Sequence, residues 1–196
     1  MENGETSKQE LILNAAIECV TRWGLDRFSM ADLAKAAKVA RSTVYMYYKT
    51  RDEVIRAALL QSAYSFGEKL LQFQARFDTP QERLIETIVY AVNALPQEPF
   101  LAMISSSALS DMVREHTLTT PEGMNIGTAL IAELLGRQQT SAEELHEMSE
   151  FIIRFVLSLI TMDSPLINND DDLRGYVARR LLPSLGLQVP EQYQKG

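Results

Sequence analysis

Apolar residues recur along most of this chain every three or four positions, and the interruptions fall on residues that cap or break helices. Leu11, Ala15, Cys19 and Trp23 step along one face, with Ser7 and Glu10 before them at capping-box spacing and Gly24 as a natural stop. Ser29 opens a short second segment, MADLAKAA, whose Leu33, Ala36 and Ala37 are expected to face inward. From Asp52 and Glu53 onward, Ile55, Leu59, Ser62, Phe66, Leu70, Phe73 and Phe77 keep a helical step. Sustained over about 25 residues, this describes one long helix of about 38 Å.

DTP at 78–80 breaks that helix, and Pro80 opens another through Leu84, Ile88, Ala91 and Leu95, ended by Pro96 and Pro99. Less regular helical stretches are expected near 100–117 and 122–136, where Gly123, Gly127 and Gly136 blur the boundaries. Ser141 and Glu144 repeat the capping pattern ahead of Leu145, Met148, Phe151, Ile152, Phe155, Val156 and Leu159. There Ile153, Leu157 and Ile160 widen the apolar surface past half the circumference. Such a helix is expected to pack on two sides, against its own core and against another subunit. In the last helix Leu173, Tyr176, Val177, Leu181 and Leu182 precede Pro183, with Asp170 read as N-cap and Asp171 and Asp172 favourably placed on the helix dipole. The pattern is all α.

Composition agrees, because nine Gly and seven Pro in 196 residues are too few for a turn-dense sandwich. The single cysteine, Cys19, cannot close an internal disulfide and reads as a core thiol. No run approaches a membrane span and the polar, acidic N-terminus is unlike a signal peptide, so the expectation is a cytoplasmic protein with no membrane partner. Net charge changes the picture more. The total is −7, yet residues 1–56 carry nine Lys/Arg against eight Asp/Glu, and the remainder ten against eighteen. A head that tolerates an anion precedes a body that repels one.

Within the head, no acid occurs between Asp32 and Asp52, while Lys35, Lys38, Arg41, Lys49 and Arg51 all fall there. The run STVYMYY favours a strand on propensity. It lacks alternation and a partner run, so a short helix over 41–48 is expected. Two short helices joined at Lys38-Val39-Ala40 have the layout of a helix-turn-helix, with Arg41 opening the second. Arg41 can donate two parallel hydrogen bonds to guanine, and Ser42, Thr43, Tyr45 and Tyr47 offer hydroxyls to bases or phosphates. Val44 and Tyr48 would pin the helix to its neighbour, and Lys49 and Arg51 stand where a phosphate would meet the start of the long helix.

FSMADLAKAAKVARSTVYMYYKTRDEVI resembles the amino-terminal pattern of TetR-family transcriptional regulators, with matches at Phe28, Ser29, Leu33, Ala34, Thr43, Tyr45, Tyr47, Tyr48, Arg51 and Val54. The specific resemblance spans roughly residues 8–60. It implies about nine helices, a three-helix DNA-binding head over 1–52, and a long fourth helix leading into an effector-binding and dimerisation body over 53–196. It implies that Arg41, Ser42, Tyr45 and Tyr47 touch bases or adjoining backbone, and that Ser29, Thr43, Lys49 and Arg51 grip phosphates. Two residues depart from the family pattern. Tyr47 stands where His is commoner, and Lys38 stands where the turn usually has Gly. A positive φ at Lys38 is expected to be offset by reach to a phosphate.

The resemblance further implies a homodimer, a double-stranded operator that is palindromic, and a small, largely apolar effector whose binding releases a repressor. The two final helices would form the dimer interface through Phe151, Ile152, Phe155, Leu159, Tyr176 and Leu181. Phe66, Phe73, Tyr90, Phe100, Met103, Met112 and His116 either line an effector cavity between the fourth and seventh helices or form plain core. No catalytic site, metal or cofactor is expected. His116 has no paired ligand at metal spacing, NNDDDL at 168–173 is explained by capping, and Ser105–Ser107 lack a nucleophile context. The other function class left open is a helical small-molecule-binding protein without DNA contact.

Overall fold

The computed structural model describes residues 7–98, 100–102, 121–136 and 140–194, and among them there are eight α-helices and no strand. These are α1 (Lys8–Trp23), α2 (Met30–Ala36), α3 (Arg41–Tyr47), α4 (Arg51–Gln74), α5 (Pro80–Ala94), α6 (Pro121–Leu135), α7 (Ala142–Thr161) and α8 (Asp170–Ser184). Met103, Met112, His116 and Ser105–Ser107 lie outside the described residues. Contacts group the described chain into two compact units, one from 7–63 with 98 and 100–102, the other from 64–97, 121–136 and 140–194.

In the first unit, Ser7 Oγ accepts from the Glu10 amide and caps α1, and Gly24 closes it at φ 78°. The buried side of α1 is Ile12, Ala15, Ala16, Cys19 and Val20; Leu11 and Trp23 are 42% and 43% exposed. The expected stripe was therefore right only in the middle. A row taken every fourth residue drifts by about 40° per step on a helix of 3.6 residues per turn, so both ends of such a row rotate out of the core. In α2 the inward residues are Met30, Leu33 and Ala34, with Ala37 just beyond the helix, whereas Ala36 is exposed. Val54, Ile55, Ala58 and Leu59 of α4 are buried as well.

The second unit is held by α5, α6, α7 and α8. Thr79 and Glu82 form a reciprocal capping box at α5, with Pro80 in its first turn. The expected α5 stripe ends early, because Leu95–Gln97 is a 3₁₀ turn, and Phe77 falls beyond the end of α4. Leu84, Ile85 and Ile88 of α5 share a core with Ile131 and Leu134 of α6, Ile152 of α7, and Leu173, Val177, Leu181 and Leu182 of α8. Arg174 ties α8 to α5 by donating from Nε and Nη2 to the two carboxylate oxygens of Glu86 at 2.8 and 3.0 Å. That bond, together with the nearby acids, holds the guanidinium pKa above its ordinary value. Asn169, rather than Asp170, caps α8; its Oδ1 accepts from the amides of Asp171 and Asp172, leaving Asp170 inside the first turn. An amide side chain does the same capping chemistry as a carboxylate, and the residue nearest the turn took the role.

Where α6 meets α7, a Cβ built on Gly127 would lie 2.3 Å from Ser149 Oγ and 3.0 Å from Ile153 Cδ1. Ser149 is fully buried and its hydroxyl has no hydrogen-bond partner. Gly127→Ala is expected to destabilise the protein by about 1–3 kcal/mol through overpacking. Ser149→Ala alone should be nearly neutral, since no hydrogen bond is lost. The double variant should recover most of the loss, measured as a double-mutant cycle by thermal unfolding.

Candidate nucleic-acid interface

The turn between α2 and α3 is built from backbone bonds. The Lys38 amide donates to Lys35 O at 3.2 Å and the Val39 amide to Ala34 O at 3.0 Å, the paired closure of a Schellman motif. This closure needs a left-handed residue, and Lys38 supplies it at φ 55°, the only non-glycine residue with positive φ among those described. The same motif closes α8 with Gly186 at φ 69°. The positive φ expected at Lys38 is therefore present, and its side chain is exposed.

Helix α3 has seven residues and no side-chain cap at Ala40. Val44 is fully buried and Tyr48, just past the helix, is 6% exposed. Tyr48 Oη accepts from Gln9 Nε2 at 3.2 Å, a bond back to the start of α1. Burial pushes the Tyr48 phenol above its ordinary pKa, with the Gln9 bond acting the other way. These two contacts orient the helix, so Arg41, Ser42, Tyr45 and Tyr47 are all exposed and Thr43 is half-buried. The Arg41 guanidinium lies 5.5 Å from the Tyr45 ring centroid, and its Nη2 donates to Tyr45 Oη at 3.4 Å. Arg41 is thereby steadied without being consumed, since a guanidinium has five donors.

Lys49 Nζ donates to Tyr45 O at 3.1 Å, at the end of α3 where the helix dipole favours a cation. Its amide donates to Glu53 Oε2 at 2.7 Å, and Thr50 Oγ1 accepts from the Glu53 amide at 3.2 Å, so the start of α4 is already capped from within. Ser29 Oγ accepts from the Asp32 amide at 3.2 Å and donates to Asp32 Oδ2 at 2.5 Å, which makes it the cap of α2. Arg51 points back into its own unit. Its Nε donates to Phe28 O at 3.1 Å, its Nη2 donates to Leu25 O, and the guanidinium sits 5.9 Å from the Phe28 ring. Sequence spacing had no way to find this strut, because its acceptors are main-chain carbonyls in a loop more than twenty residues away.

The structure thus brings Arg41, Ser42, Tyr45 and Tyr47 onto one exposed helix, with Lys38 at its entrance and Lys49 at its exit. Among the described residues no group of His, Cys, Asp or Glu is arranged to hold a metal ion. Among those residues, too, no helix is long and apolar enough to cross a membrane. The other expected positions are elsewhere. Ile152 and Leu181 are 5% and 0% exposed and belong to the subunit's own core, whereas Phe151 is 43% exposed. Phe155 and Tyr176 are half-buried and stack at 5.9 Å, and Leu159 packs partly against the core. Phe66 is buried, Phe73 and Tyr90 stack at 4.4 Å, and Phe100 is 1% exposed and falls in the first unit.

Residues 12–58 match the family of bacterial regulatory proteins described as the tetR family. A DNA-binding transcriptional repressor TetR of Mycobacteroides abscessus is 30% identical over 169 residues, covering 80% of this chain and 84% of that protein. The chain belongs to the TetR family. Its fold agrees with the crystal structure of the TetR-family repressor AlkX from Dietzia sp., implicated in biodegradation of n-alkanes, with a TM-score of 0.70 at 19% identity over 96% of this chain and 100% of the other. It agrees as well with the multidrug binding protein EbrR complexed with imidazole, with a TM-score of 0.62 at 17% identity over 89% and 95%. As a TetR-family protein it is a helix-turn-helix transcriptional regulator, and its α2–turn–α3 unit lies inside the matched span.

Two outcomes are expected for this unit in urea unfolding followed at Trp23, the only tryptophan. Lys38→Gly should stabilise by about 1 kcal/mol, since the left-handed strain is relieved. Arg51→Met should destabilise by about 1–3 kcal/mol, since two charged hydrogen bonds to buried-side carbonyls are lost.

Proposed function

We propose that this regulator is a repressor that binds a palindromic operator as a homodimer and is released by a small, largely apolar effector. The observation that carries the DNA half of the reading is the two-sidedness of α3: Val44 and Tyr48 are buried while Arg41, Ser42, Tyr45 and Tyr47 are exposed in a stretch without acids. In the major groove Arg41 is the base reader, best suited to guanine O6 and N7, and Ser42, Tyr45 and Tyr47 reach bases or adjoining backbone. Lys38, Thr43 and Lys49 are the phosphate contacts; Lys49 keeps two of its three donors beyond the bond to Tyr45 O. Ser29 and Arg51, expected to grip phosphates, also hold the frame, the first as a cap and the second as a strut.

The body supports the rest. Phe151 exposed on α7, the Phe155–Tyr176 stack and half-buried Leu159 form an apolar face suited to a second copy, with Ile152 and Leu181 backing it from the core. Two subunits then present their recognition helices to half-sites one helical turn apart. For the effector, the Phe73–Tyr90 stack, with Phe66 on the same helix as Phe73, offers aromatic surface. Gln74 and Thr87, on the same two helices as that stack, are 4% and 3% exposed, and Gln74 Oε1 and Thr87 Oγ1 have no partner, so each could bond a polar atom of a mostly apolar molecule that reached it. EbrR, a protein of the same fold complexed with imidazole, is in keeping with a small ligand.

Binding of labelled DNA from the protein's own promoter region at two salt concentrations tests the reading. Affinity should fall steeply as salt rises, because several phosphates are contacted. Arg41→Ala is expected to relax preference at one operator position and weaken that sequence by about 1–3 kcal/mol, while Lys49→Ala weakens all sequences alike. Lys38→Gly should bind more weakly despite its greater stability. Binding that is flat in salt, or absent, would leave the helical small-molecule binder as the better reading.

A further inference from the structure

One side chain on the recognition helix has no place in the contacts assigned above. Met46 is 66% exposed, more than Tyr45 at 36% or Tyr47 at 41%. Its position explains the exposure. At about 100° per residue, Val44 and Tyr48 define the inner side of α3, and Met46 stands almost diametrically opposite them, with Ser42 one turn before it. The residue aimed most directly away from the protein on this helix is therefore an unbranched thioether among hydroxyls and a guanidinium. Neither core packing nor helix capping accounts for it.

Base edges in the major groove present donors, acceptors and one apolar group, the C5-methyl of thymine. Arg41 matches guanine, and the hydroxyls of Ser42, Tyr45 and Tyr47 match donors and acceptors of any base. Only Met46 on this face offers apolar surface without a polar tip, on a chain flexible enough to settle against a methyl group. The charge pattern fits the same occupant, since Lys38, Arg41 and Lys49 surround the face and no acid interrupts 33–51. Resting on the DNA-binding reading above, we propose that Met46 determines specificity by packing on a thymine methyl in each half-site.

Duplexes selected by the wild-type protein from a randomised pool supply the probe, with each thymine replaced in turn by deoxyuridine. That exchange removes the methyl group and keeps every hydrogen-bonding atom. Wild-type protein is expected to lose about fourfold in affinity per half-site at one thymine position, the effect of one methyl-sized apolar burial. Met46→Ala should bind thymine and deoxyuridine there equally, Met46→Leu should keep the preference, and both should retain the guanine preference that Arg41→Ala loses. The assignment to Met46 is overturned if wild-type protein is indifferent to every exchange, or if Met46→Ala keeps the wild-type ratio. Those results leave Arg41-dependent binding intact, so they are distinguishable from failure of the DNA-binding reading, in which no duplex is selected and both fall.

Discussion

A seven-residue helix does not hold itself together in water, since nucleation is unfavourable and its few internal bonds cannot offset the ordering of the backbone. Everything proposed for α3 therefore depends on the burial of Val44 and Tyr48, which makes the segment helical and decides which way it faces. β-Branched and aromatic residues that would favour a strand in isolation serve here as anchors, a case of tertiary packing overriding local propensity. The Gln9–Tyr48 bond adds direction, joining the start of α1 to the end of α3 so that both ends of the three-helix unit share one contact.

The frame around that helix is made in part from groups that the sequence offers as ligand contacts. Ser29 and Arg51 are polar, close to the basic stretch, and set where a phosphate would be welcome. The hydroxyl bonds Asp32, and the guanidinium bonds two carbonyls of the loop between α1 and α2. Main-chain carbonyls leave no mark in the residue pattern, so an arginine that bonds them reads in sequence like one left free. The exposed residues differ in kind: Arg41 leans on Tyr45 by its face while most of its donors stay open.

Much of the architecture was legible because caps and breakers are local chemistry. Ser7, Ser29 and Ser141 each accept an amide three residues on, as their spacing implies, and Lys38 takes the left-handed backbone that the turn demands. Burial was harder to read. Leu11 and Trp23 turned outward because a strict four-step row leaves the core face at its ends, and Ile152 and Leu181 turned inward because an over-apolar helix does not say which of its sides is internal. Asn169 displaced Asp170 as the α8 cap since either side chain can do the work. Met46 escaped notice for a related reason: in a run of tyrosines a lone methionine looks like packing, and only its exposure says otherwise.

The left-handed backbone at Lys38 has a thermodynamic character unlike that of its side chain. Torsional strain is a short-range steric effect and is the same in dilute buffer and in brine, whereas the attraction of an ammonium group for a polyanion is screened over about 10 Å at 0.1 M salt. In the proposed complex, residue 38 therefore combines a fixed torsional strain with an ionic attraction that varies with the medium. Gly186, in the same motif at the end of α8, carries neither. Ionic strength thus bears on this turn through its lysine alone.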